Sequence, residues 1–489
     1  MRKLVIATTA VVIASGATFV YAQNQLDTVM DLAVQGMLSE GATVTYDDRN
    51  IGGDMSVEYT NLVITDPDDG VTITTDWLKG TPSAADPSVV TFTVADVISI
   101  EGEVEGEKID FEIRSTGFEL TTNAVLMEAF DDGDVTVTLA ADTFVIEGGD
   151  PDSAVFRNFM TEISDLSFGV VYSIDDMTAA GNLSMGPYTA KYDFTADGQT
   201  QVADEQVEFL TVEFEFDVPE SEDDMIGYLN GEKSASLTME SGAGTGISSF
   251  SQEGLEFEID MSYENSAFEF EMIDGRLVYD IVGGAMEALL TPGAGMPIPP
   301  VEITMSGIGL KLVLPMNSVD EPDELAFNFL LSDLTVGEGL WSIIDPGKTI
   351  SRDPATIDID VTSSVQIDAM KGMMEGADNP FEFATFHNVA INQLLLAVGG
   401  ASIQAQGAAD INNDGFIPMP VGKVNIDITG VQALSEQLVA LGLLDQMQVG
   451  MAMGMMMAFA KPGDEADQFV SEIEFTKDGS ITANGQPLK

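Results

Sequence analysis

The stretch "LEFEIDMSYENSAFEFEM", residues 255–272, decides the fold. Leu255, Phe257, Ile259 and Met261 alternate with Glu256, Glu258 and Asp260, and further on Phe268, Phe270 and Met272 alternate with Glu269 and Glu271. A period of two sends successive side chains to opposite faces of an extended chain. These are strands with one apolar and one carboxylate face, as in antiparallel sheets with a single dry side. Burying one such apolar side chain stabilises by about 1.5–3 kcal/mol, so the dry faces need a partner. Another sheet, helices of the same chain or a hydrophobic ligand can serve.

The same period dominates from Ala42 to about Asp280, in segments such as "VEYTNLVIT", "VTITTDWL" and "VEFLTVEFEFDV". Turn signals such as "DPDDG" and "DDGD" separate them. Between Phe209 and Leu210 the apolar phase slips by one residue, which predicts a β-bulge. Short helices are expected at "SAVFRNFMTEIS" (153–164), "IVGGAMEALLTP" (281–292) and "DAMKGMMEGA" (368–377). The run "TPGAGMPIPP" (291–300) leaves neither helix nor central strand available and reads as a boundary between halves at 23–290 and 301–489. In the second half strands resume, a long helix follows from about Val431 to Ala460, and a hairpin turning at Lys477 to Gly479 closes the chain. The tripeptide Ser-Asp-Leu recurs in "SDLSFG" (164–169) and "SDLTVG" (332–337).

The first residues have their own logic. "MRK" followed by "LVIATTAVVIASGATFV", with Val20 and Ala22 as small residues, reads as a signal peptide over 1–22 and implies export to the periplasm. Left uncleaved, the segment would be an inner-membrane anchor. Next, Leu26, Val29, Met30, Ala33, Val34, Met37 and Leu38 fall at helical spacing, an amphipathic helix closed by Gly41. The expected fold is therefore mainly β (α+β): one or two large curved antiparallel sheets, an amphipathic N-terminal helix and a Met-rich C-terminal helix.

Composition narrows function. At 489 residues and 45% hydrophobic the chain can bury a sizeable core, yet 82 acidic against 18 basic residues give a net charge of −64. That field excludes nucleic acid and anionic membrane surfaces as partners. Cysteine is absent and His387 is the single histidine, so disulfides, thiolate nucleophiles and multi-His metal sites are excluded. No nucleophile elbow, phosphate loop or dinucleotide fingerprint occurs, and a non-enzymatic protein without a cofactor is expected. A carboxylate hydrolase stays as an alternative because acidic pairs are abundant.

Three local features are candidate sites. "LLDQMQVGMAMGMMMAFA" (443–460) crowds methionine onto one helix, and flexible, polarizable methionine adapts to varied apolar shapes. Met447, Met451 and Met455, with Phe257 and Phe270 of the opening strands, are the candidate ligand-binding residues. The alternative is a core helix in which Gly450 and Gly454 permit close packing. "DINNDGF" sets Asp410, Asn412 and Asp414 at the first alternate positions of a calcium loop, but Val421 stands where the bidentate glutamate belongs, so an acidic turn competes with a calcium site. Finally, the Asp-Pro steps of "DPGKTISRDPAT" make a rigid loop in which Arg352 has Asp345 and Asp353 as partners beside Trp341.

Leu340, Trp341, Asp345, Pro346, Arg352, Asp353, Pro354 and Ala355 in "LWSIIDPGKTISRDPATIDIDV" resemble the signature of domain-of-unknown-function family 2125, exported proteins of Gram-negative bacteria. "GFIPMPVGKVNIDITG" and "DGSITANGQPL" are similar to that family's C-terminal region. The resemblance implies an uncharacterised envelope protein and brings no catalytic residues. More remotely, one-sided sheets with amphipathic helices look like AsmA-like envelope proteins, which are associated with lipid traffic. Two readings follow: a protein that holds or passes a hydrophobic ligand such as a lipid on an apolar sheet face, or a structural or protein-interaction module of the periplasm with a self-packed core. They differ in whether the chain's own side chains fill the apolar face.

Overall fold

A computed structural model describes residues 42–488, apart from 67–69, 87, 105–106, 124–132, 151–155, 197–198, 220–224, 253–254, 294, 369–370, 373–382 and 415–417. The signal segment, the amphipathic helix at 26–38 and most of "DAMKGMMEGA" lie outside the described residues. Strand makes up 66% and helix 10%, in a large antiparallel sheet with four helices among the described residues, so the fold is mainly β. The helices are α1 (Met225–Asn230), α2 (Glu338–Ile344), α3 (Val431–Ala440) and α4 (Gln446–Phe459).

Two compact units divide the chain, one of Met1–Val218 with Met239–Glu258, the other of Pro219–Thr238 with Ile259–Lys489. The Pro-Gly run at 291–300 thus lies inside the second unit. The physical reason is pairing across it: Met286–Leu290 lies antiparallel to Val301–Met305, so the run is a connection within the sheet.

In the first unit the long strands break in register. Phe156–Ser173 pairs its first part with Tyr188–Ala196 and its last part with Thr178–Met185, and Asp165 between them is left-handed at φ 51°. Here a helix was expected. Phe156, Phe159, Met160 and Ile163 do fall at helical spacing, but ladders on both sides satisfy the backbone as strand. The slip at Phe209–Leu210 is likewise not a bulge: Glu208 and Phe209 break opposite Gly186 and Pro187, two residues against two, and Val207↔Tyr188 and Met185↔Leu210 keep one register.

Such breaks explain the core. A left-handed residue turns the pleat over, so Tyr59 before Asn61 (φ 49°) and Leu62 after it both reach the same cluster, as do Ile113 and Phe118 around Gly117 (φ 65°). Val57, Tyr59, Phe92, Ile100 and Leu120 are among its buried members.

In the second unit "IVGGAMEALLTP" is also strand, because Gly283 ends one strand at a break and Met286–Pro292 pairs onward. The expected long helix is two helices. Gly442 (φ 72°) interrupts it, and Asp445 then caps α4 by accepting from the backbone N–H groups of Met447 and Gln448. Gln468–Phe475 pairs with Ile481–Ala483 around a turn at 476–480, the closing hairpin expected there.

Candidate functional site

The second unit carries nine antiparallel strands in lateral order: Ser266–Ile273, Arg276–Gly283, Gly307–Pro315, Asp323–Val336, Ala355–Ile367, Ala384–Val398, Ala401–Asn412, Met419–Thr429 and Gln468–Phe475. Residues paired across an antiparallel ladder point to the same face, so the register converts strand alternation into rows. One row runs Phe268, Ile281, Leu310, Phe329, Ile359, Leu394, Ala405, Ile426 and Ser471. A second, two residues along, runs Phe270, Tyr279, Leu312, Phe327, Val361, Ile391, Gly407, Val424 and Ile473. On the other side of the first lies a third, with Ile308, Leu331, Ile357, Leu396, Ile403, Ile428 and Phe469.

All three rows are apolar almost from end to end. The row on the opposite face between the first two is polar: Glu269, Asp280, Lys311, Asn328, Asp360 and Gln393. There the Lys311 ammonium is 2.8 Å from Asp280, and that hydrogen bond raises its pKa.

The apolar face is not sealed. Of the residues named in its rows only Ala405, Phe469 and Ser471 are buried, whereas Ile308, Phe327 and Leu396 are 40%, 39% and 39% exposed. Eight strand spacings make the face about 38 Å wide, and two steps between rows make it about 14 Å deep at the Cα level. That footprint, about 500 Å², is of the order of the largest apolar patch of an ordinary monomer, about 300–600 Å². In the first unit, by contrast, Val57 and Tyr59 are 0% and 1% exposed.

At the far edge the face meets α4. Ser471, the last residue of the first row, donates its hydroxyl to the Phe459 carbonyl at 2.6 Å, and the Asn484 amide donates to the same oxygen at 3.1 Å. A cavity of about 470 Å³ adjoins this edge, lined by Ala405, Ile426, Ser471, Lys461 and Asn484 among others. The candidate Met447, Met451 and Met455 are 73%, 62% and 64% exposed on α4. A Cβ added at Gly450 or Gly454 would meet open space, so these glycines are not packing notches against the sheet.

Phe270 lies in the second apolar row, six strand spacings or about 29 Å from the Ala401–Asn412 strand against which α3 packs. It therefore shares a face, but not a pocket, with that edge. Phe257 belongs to the first unit and stacks on Phe250, with ring centroids 5.0 Å apart. Reading strands singly missed the rows, because they exist only once pairing is known; the signal was the alternation itself.

Asp410 and Asn412 sit in a regular strand, paired with Val421 and Met419, and Asn412 accepts from the Asp414 N–H. Among the described residues no three His, Asp or Glu side chains gather as a metal site. His387 lies 2.8 Å from the Gln366 side-chain oxygen.

The Asp-Pro loop is a closed cluster. Asp345 has no solvent exposure and accepts from the backbone N–H groups of Thr349 and Ile350 and from the Arg352 guanidinium. Burial alone would raise its pKa, but these three donors outweigh that and hold the carboxyl well below the usual range. Arg352 also donates to the Asp345 and Ile350 carbonyls and stacks 4.2 Å over Trp341. Asp353 is exposed, and its backbone N–H donates to the Ser351 hydroxyl.

No helix among the described residues is long and apolar enough to cross a membrane. No curated protein and no solved structure matches the chain. A family described as an uncharacterized protein conserved in bacteria, DUF2125, matches residues 19–211 and 281–488, leaving out 212–280. Its two matched segments cover most of the sequence, and the chain belongs to this family.

Proposed function

We propose that this chain is a non-enzymatic protein of the bacterial cell envelope that holds or passes a hydrophobic ligand, such as a lipid, along the apolar face of its second unit. The observation that carries the reading is the set of three apolar rows, two of them nine strands wide and the third seven, whose large side chains are mostly half-buried and not sealed. Apolar surface left partly open to water is costly, so a partner that covers it is favoured by the hydrophobic effect. Ser471 and Tyr279 are the only residues of these rows with a polar side chain, and the Ser471 hydroxyl is held by the Phe459 carbonyl, which favours recognition of acyl chains by surface and shape over recognition of one compound. The strongly acidic composition of the chain, with a net charge of −64, keeps the loaded protein soluble.

Native mass spectrometry of the purified protein is expected to show co-purifying lipid, and a solvatochromic apolar dye is expected to compete with it. Protein that carries no lipid and takes up no dye would instead be a self-contained structural module. The closed core of the first unit favours that second reading for the first unit alone.

A further inference from the structure

We propose that α4 is a docking element that seats the protein on a neutral lipid surface. The proposal extends the apolar-face reading above but stands on a different element. Residues 446–459 contain no charged side chain, in a chain with 82 acids. Only Val449, Met453 and Met456 are half-buried, a single stripe at helical spacing, while the other residues of the helix are exposed. Met447, Met451, Met455, Met457 and Phe459 project 45–73% exposed, and Leu443 and Leu444 of the preceding turn are 57% and 37% exposed.

A helix without a charged face is ordinarily found in a core or in lipid, and this one is not in the core. Its two ends are tied down. A capping box holds the first turn, in which Asp445 accepts from Gln448 and the Gln448 side chain accepts from the Asp445 N–H, and Ser471 and Asn484 hold the last carbonyl. The exposed faces are therefore presented on a fixed mount.

Charge selects the occupant. A second copy would bring −64 against −64, and an anionic bilayer is repelled in the same way. A zwitterionic bilayer has no net charge, and its acyl region covers a helix on all outward sides at once. At about 21 Å, α4 is too short to cross a hydrocarbon core of about 30 Å, so it lies in the interface. Its anchor residue Ser471 ends the first apolar row, so docking sets the edge of that face beside the bilayer.

The test is flotation of the full chain with phosphatidylcholine vesicles, comparing wild type with the double variant Met451→Asp, Met455→Asp. Both sites are over 60% exposed, so the fold is expected to hold, checked by an unchanged melting curve. Wild type is expected to float, and the variant to lose about tenfold in vesicle affinity. In a second measurement Met455→Trp is expected to shift its emission to the blue on vesicles and to be quenched by brominated phosphatidylcholine. Wild type that stays at the bottom of the gradient overturns the proposal, as does a variant that floats equally well, or light scattering that shows a dimer abolished by the same pair of changes. Dye uptake separates the two readings: flotation without uptake sustains docking and sinks the ligand-holding face, whereas uptake without flotation does the reverse.

Discussion

The Ser471 hydroxyl donates a 2.6 Å hydrogen bond to the carbonyl oxygen of Phe459, joining the last residue of a nine-strand apolar row to the end of α4. A helix leaves its final carbonyls without intrahelical partners, and Ser471, only 5% exposed, satisfies this one from the sheet. Ser471→Ala is expected to cost about 1 kcal/mol in urea unfolding. It should also raise amide exchange at Ala460, whose N–H bonds to Met456. A variant with unchanged exchange there would show that the hydroxyl is not what holds the helix end.

Charges placed on the apolar face discriminate an open surface from a packed one. Leu310→Asp and Phe329→Asp, neighbours in the first row, are expected to lower apolar-dye affinity by about tenfold, or ~1.4 kcal/mol. Lys311→Ala, between them in sequence but on the polar face, is expected to leave it unchanged. Equal effects of all three would sink the assignment of faces.

Asp345 predicts a pH dependence of stability. Its folded pKa is depressed, so its contribution is complete above the unfolded value and is lost as pH falls through the folded one. Asp345→Asn is therefore expected to melt below wild type at neutral pH, with the difference shrinking from about pH 5 down to about pH 2. Melting temperatures of both proteins across that range measure it. A constant difference would mean that the carboxylate's charge contributes nothing.

Gly117 marks a strand break in the first unit. Its φ is 65°, and an added Cβ would lie 2.6 Å from an Asp142 carboxylate oxygen. Gly117→Val is expected to destabilise by about 1–2 kcal/mol, the cost of a left-handed conformation for a β-branched residue. Equilibrium unfolding read by near-ultraviolet circular dichroism would reveal it, because Phe118 next to the break belongs to the core.

Local chemistry was legible wherever one strand or turn carried the signal. "LEFEID" and "FEFEM" are strands, and the terminal hairpin turns at the place expected. The Arg352 to Asp345 pair likewise follows from their closeness in sequence. The phase slip at Phe209–Leu210 was visible too, but its cause was not, because the answering break at Gly186–Pro187 lies between two other strands. The recurring Ser-Asp-Leu gains a meaning in the same way. Asp165 and Asp333 are both left-handed, at φ 51° and 52°, and in each case the preceding serine carbonyl accepts from the break between two neighbouring strands, from Gly186 and Ser306 respectively.

Helical spacing misled at Phe156–Ile163 because this strand carries apolar residues on both faces, Phe159 and Ile163 on one and Met160 on the other, and its register shifts between Phe156 and Asn158. The alternation of apolar and acidic residues by itself determined that the chain forms one-sided antiparallel strands, since side-chain direction along an extended backbone is a local property. Only the tertiary structure decided which residues share a row, that the rows of the second unit stay open while the first unit's core closes, and that the methionine helix faces outward. Those outcomes depend on register and on what lies across each face, relationships between residues far apart in the chain that no local pattern encodes.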